Sequence, residues 1–108
     1  MAKGLNEQEL KKICGGVIDD STLKNVLGYN WSELSFALGS FLTAASNAGF
    51  SSEVSTINSI IANKDINFLK IASYKAAIKK LYPFAVNNNY TEAANVLSAI
   101  AALLGMSL

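Results

Sequence analysis

The chain contains no histidine and no arginine, and it has a single cysteine and a single proline. Each absence removes a class of function. Without histidine the chain lacks the commonest general base and the commonest metal ligand. Without arginine it has no side chain for bidentate contacts to phosphate or guanine. Its net charge of +1 supplies no strongly basic surface, so nucleic acid is not an expected partner. One cysteine, Cys14, makes neither an internal disulfide nor a zinc site. With no histidine to activate it, Cys14 is a poor nucleophile as well. Asp19 and Asp20 read as helix-start charges rather than an acid–base pair. No phosphate-binding loop and no nucleophile–base set is present, which points away from an enzyme, a cofactor or a metal. The longest apolar runs fall short of the roughly 18 residues a membrane span needs. Residues 1–16 carry Lys3, Glu7, Glu9, Lys11 and Lys12, where a Sec-type signal peptide would need an uninterrupted apolar stretch.

What remains is an apolar chain of one domain's length: 108 residues, 51% of them hydrophobic and 16% charged. Apolar residues recur at three- and four-residue intervals, which predicts an all-α fold. The expected architecture is a small bundle of four to five short amphipathic helices, preceded by a short helical leader. Asp19, Asp20 and Ser21 offer caps for a first bundle helix that runs to about Leu27 and stops at Gly28. Asn30 caps the strongest segment, whose stripe is Trp31, Leu34, Leu38, Phe41, Leu42, Ala45 and Ala48, with Gly49 as the stop. Ser51 or Ser52 opens a third helix with Val54, Ile57, Ile60 and Ile61 on one face. Asp65 is the expected cap of a fourth, ending at or before Pro83, because a residue preceding proline avoids the helical region. Phe84 to Tyr90 then read as a linker, and Thr91 as the cap of a last helix ended by Gly105.

Ahead of this bundle stands LNEQELKKICGG, Leu5 to Gly16. It has complete local helix logic. Asn6 and Glu9 are spaced as a capping box, Leu5 and Leu10 as a hydrophobic staple, and Gly15 can take the left-handed conformation that ends a helix. A helix over about Glu7–Cys14 is shorter than the ~12–15 residues an isolated helix needs in water, so it requires a binding surface. One reading makes this the first helix of the bundle. That reading accounts for the caps but not for Gly16, nor for so short a helix at this place.

The segment resembles the double-glycine leader of bacteriocin precursors and related secreted peptides. The matching residues are Leu5, Asn6, Glu9, Leu10, Ile13, Gly15 and Gly16, with Asn6 standing where a serine is usual. The match covers residues 1–16 only. It implies a two-part chain: residues 1–16 a removable leader, residues 17–108 the secreted product. It also implies a partner, an ABC transporter with an attached cysteine peptidase, which cuts after the second glycine and exports the remainder. The leader would dock as a helix, Leu5, Glu9 and Ile13 forming one ridge with Leu10 beside it. Gly15 and Gly16 would cross the peptidase cleft in extended form, where side chains would clash. The cut falls between Gly16 and Val17, and its nucleophile belongs to the transporter. Synthesis in a bacterial cytoplasm and secretion after leader removal follow from the resemblance.

The product, residues 17–108, has no cysteine, which excludes disulfides and lanthionine bridges and points to an unmodified helical polypeptide. Its six lysines and six acidic residues cancel. Lys70, Lys75, Lys79 and Lys80 nevertheless all fall on the fourth helix, where Lys75, Lys79 and Lys80 project opposite Ile71, Tyr74, Ile78, Leu81 and Tyr82. Such a helix can lie in a membrane interface, or it can be a core-facing stripe with a solvated lysine face. The last helix carries Ala94, Ser98 and Ala102 at a spacing used for close packing in membranes and, by chance, in soluble bundles. The expected activity is damage to the membranes of competing bacteria, with an immunity protein as a further partner of the producing cell. The alternatives are a secreted helical binding or signalling protein using the same route, and an intracellular bundle with a chance leader match.

Overall fold

The computed structural model describes residues 17–106, and Phe68 by its backbone alone. Five α-helices account for most of them, and no strand occurs among the described residues. They are α1 (Asp20–Leu27), α2 (Trp31–Asn47), α3 (Ser51–Asn63), α4 (Ile71–Asn87) and α5 (Thr91–Leu103), with a 3₁₀ turn at Phe68–Lys70 before α4. The all-helical expectation therefore holds. The leader helix, with Leu5, Glu9, Leu10, Ile13, Cys14, Gly15 and Gly16, lies outside the described residues.

The starts of α1 and α2 follow from their caps. The Asp19 carboxylate accepts from the Thr22 N–H at 2.7 Å. At α2 the Glu33 N–H donates to Asn30 Oδ1 and the Asn30 N–H donates to Glu33 Oε1, both at 2.9 Å, a closed capping box. The predicted stripe of α2 faces the core from Trp31 to Ala45, whereas Ala48 is exposed beyond the last turn.

Four helices end in one way. At α2, α3, α4 and α5 the first residue past the helix turn is left-handed: Gly49, Lys64, Asn89 and Gly105. The next N–H donates back across the last turn, as Phe50 to Ala45 O, Asp65 to Ile60 O, Tyr90 to Ala85 O and Met106 to Ala101 O. This is the Schellman closure, which normally seats an apolar side chain at that next position. Phe50, Tyr90 and Met106 obey, packing against the core. Asp65 does not.

Three sequence expectations need correction, and each has a physical cause. α3 opens at Ser51 as expected, but Thr91 does not cap α5. The cap positions are Phe50 and Tyr90, without a side-chain bond, because each residue also closes the preceding helix and turns its ring inward. Asp65 does not cap α4. Its N–H completes the end of α3, and Asn67 Oδ1 accepts from the Leu69 N–H at 3.0 Å instead, shaping the 3₁₀ turn. Finally, α4 runs through Pro83 to Asn87. An internal proline costs roughly 3 kcal/mol. Continuing the helix places Phe84 among Phe41, Phe50 and Tyr90, with ring centroids 5.9, 5.4 and 6.5 Å away. Each aromatic pair is worth about 0.5–1.5 kcal/mol beyond burial. Together with the complete burial of Ala85, that outweighs the proline.

The core is continuous and, among the described residues, free of buried polar side chains, running from Ile18 to Leu104. The α3–α4 and α4–α5 contacts are the most extensive, and α5 also reaches α1 and α2.

Candidate functional site

The junction at the predicted cut is built from Val17, Ile18 and Asp19, which lead into α1. Val17 is 76% exposed, and Ile18, the second residue past the predicted scissile bond, is 4% exposed and part of the core. Both polar groups of the Ile18 backbone are occupied. Its N–H donates to the Lys64 carbonyl at 2.8 Å, and its carbonyl accepts from Trp31 Nε1 at 2.6 Å. Asp20 Oδ1 accepts from the Trp31 N–H at 3.1 Å, tying the start of α1 to the start of α2. Ile18 precedes the Asp19 cap and shares the core with Leu23 in the next turn, the spacing of a hydrophobic staple. That spacing is the signal through which Ile18 could have been found in the sequence. The indole bond had no such signal, because its partner lies 13 residues away.

The Asp19 carboxyl is held below its ordinary value, chiefly by the Thr22 backbone N–H it accepts from. Glu33 is lowered mainly by its hydrogen bond from Lys24 and then by the Asn30 N–H. Both groups are exposed, and the 2.7 Å Lys24–Glu33 pair contributes modestly for that reason.

The fourth-helix residues singled out by sequence divide cleanly. Tyr74 and Ile78 are buried in the core and Ile71 is half-buried. The Tyr74 hydroxyl accepts from the Asn67 N–H at 3.1 Å, which satisfies it inside the fold. Lys79 and Lys80 are exposed and Lys75 is partly so. Lys80 approaches Glu53 only at 3.9 Å. In the folded chain the apolar face of α4 is thus spent on α3 and α5, and its lysines face water. On α5, Ala94 is buried, Ala102 half-buried and Ser98 exposed, so the three small residues do not form one contact surface.

Elsewhere the described surface shows three exposed apolar side chains, Phe36 at 87%, Leu69 at 90% and Val86 at 49%. A shallow groove between α2 and α3 is lined by Gly39, Leu42, Thr43, Val54 and Asn58. No cluster of potential metal ligands occurs among the described residues, and none of their helices is long and apolar enough to cross a membrane.

The described residues form a small all-helical domain, and the first buried one among them, Ile18, stands two positions after Gly16. No family model matches the chain, no curated protein matches it in sequence, and no solved structure matches its fold.

Proposed function

We propose that the chain is the precursor of a secreted bacteriocin-like product. A peptidase-containing ABC transporter binds residues 1–16, cuts after Gly16 and exports residues 17–108. The observation that carries this reading is the LNEQELKKICGG segment, with Leu5, Glu9, Leu10 and Ile13 in leader register and the glycine pair at its end. A product beginning at Val17 retains every buried residue of the described core, from Ile18 to Leu104.

The product acts on the membranes of competing bacteria by opening its bundle at the bilayer. The apolar faces of α4 and α5 exchange core contacts for lipid, while Lys75, Lys79 and Lys80 stay at the anionic surface. A second reading, a secreted helical binding or signalling protein, is favoured by one observation. The apolar faces of the helices turn inward in the folded chain, and the product's formal charge is zero, so nothing draws it to a membrane before it opens.

Two measurements decide. Mass spectrometry of medium from cells expressing the chain with such a transporter should find a product beginning at Val17. Full-length chain confined to the cells overturns the export reading. Dye release from anionic liposomes by the processed product at micromolar concentration supports membrane action, and absence of leakage leaves the binding reading.

A further inference from the structure

Asp65 is the one residue in a Schellman closure that puts a carboxylate where the three equivalent positions put Phe50, Tyr90 and Met106. Asp65 is half-buried, and its Oδ1 is shielded from solvent and has no hydrogen-bond partner among the described residues. A shielded carboxylate oxygen left unpaired is costly, and its persistence calls for a partner. The residue before Asp65, Lys64, accepts the Ile18 N–H at 2.8 Å through its carbonyl. The backbone nitrogen of Val17 lies one residue before that bond, within about 4 Å of the Ile18 nitrogen by chain geometry. In the uncut chain this nitrogen is an amide in the Gly16–Val17 bond and carries no charge.

We infer that Asp65 is the receptor for the α-ammonium group created at Val17 when the Gly16–Val17 bond is cut. The inference rests on the proposed processing site. Hydrolysis adds one water across the bond: the carboxylate stays on Gly16 and the amine on Val17, which is protonated at neutral pH. Ile18, held through both backbone groups and its buried side chain, keeps the new chain end beside Lys64, the chain neighbour of Asp65. The charged residues adjacent in sequence to the Ile18–Lys64 bond are Asp19 and Asp20 on one side and Lys64 itself on the other. Asp19 and Asp20 are already engaged by the Thr22 and Trp31 N–H groups, and the Lys64 side chain is exposed, which leaves Asp65 as the unsatisfied acceptor. Processing then does more than remove a leader. It adds an ion pair that the precursor lacks, so the product is more stable than the chain from which it is cut.

The test separates this inference from the processing reading. The double variant C14E/G16R turns residues 13–16 into Ile-Glu-Gly-Arg, so that a site-specific protease cuts the full chain before Val17 with no transporter involved. The Val17 amine, followed by NMR titration of its methyl resonances, should titrate at least one pH unit above the ordinary value of about 7.7–8.0, a tenfold tighter hold on its proton. Adding Asp65→Asn should return it to the ordinary value. Inserting one glycine between positions 16 and 17, which moves the amine about 3.8 Å without touching Asp65, should do the same. The cut protein should melt above the uncut one at neutral pH. A raised amine pKa stabilises fully below the unfolded value and loses its effect as pH rises through the folded value, so the difference should vanish in alkaline solution. An ordinary amine titration in the cut protein overturns the inference, whatever the transporter does. Failure of the transporter to cut the natural chain overturns the processing reading instead, and leaves the amine titration standing.

Discussion

The indole N–H of Trp31 donates to the carbonyl of Ile18 at 2.6 Å, binding the residue just past the predicted cut to the start of the longest stripe in the core. The bond is buried, and removing its donor leaves a carbonyl without a partner. Trp31→Phe keeps most of the ring's packing and should destabilise the protein by about 1–3 kcal/mol, read by urea denaturation followed by circular dichroism. Native-state hydrogen exchange should show the Ile18 amide losing protection first. Unchanged protection at Ile18 would mean that the indole does not hold the junction.

Gly15 and Gly16 are expected to pass through a peptidase cleft that tolerates no side chain. Replacing either with leucine should abolish cleavage by a double-glycine peptidase while leaving far-ultraviolet circular dichroism unchanged. Continued processing of both variants would remove the leader reading.

Pro83 and Phe84 oppose each other in α4. Pro83 is exposed and withholds one backbone donor, so Pro83→Ala should stabilise by up to about 3 kcal/mol. Phe84→Ala removes a ring that touches Phe41, Phe50 and Tyr90, and should destabilise by about 3–5 kcal/mol. Thermal melts of the two single variants check both signs.

The carboxyls of Asp19 and Glu33 are lowered from ordinary values of 3.8 and 4.5 by the hydrogen bonds that cap α1 and α2. A lowered folded-state pKa contributes stability above the unfolded value, and that contribution is lost as pH falls through the folded value. Stability should therefore decline as acid is added below the ordinary Glu33 value. The pair Asp19→Asn and Glu33→Gln should flatten that decline, measured as the urea midpoint against pH.

Lys64 is held at φ 51°, a left-handed conformation that costs a side-chain-bearing residue energy. Its side chain is exposed, and its carbonyl, not its ammonium, holds Ile18. Lys64→Gly should raise the melting temperature, a gain of about 0.5–1 kcal/mol, with the Ile18 amide still protected.

Much of the fold was legible in the residue order, because it depends on short-range periodicity. The stripe from Trp31 to Ala45, the Asp19 and Asn30 caps and the stops at Gly28, Gly49 and Gly105 each act within one or two turns of chain. The errors fell where a residue serves two distant masters. Phe50 and Tyr90 close one helix and start the next, and their rings meet Phe84, so the hydroxyl of Thr91 loses the cap position. Phe84 carries α4 past a proline because its partners come from α2, from the α2–α3 turn and from Tyr90.

Sequence by itself determined the all-helical class of the described residues, and it alone carries the double-glycine segment on which the proposed cut rests. Both are local properties. Tertiary structure alone decided that the apolar face of α4 is spent inside the bundle, that Ile18 is anchored by Trp31 and Lys64, and that Asp65, the residue after Lys64, holds a shielded oxygen with no partner among the described residues. Those depend on which helix ends meet in space, and burial, unlike helical periodicity, is set by neighbours that lie far away along the chain.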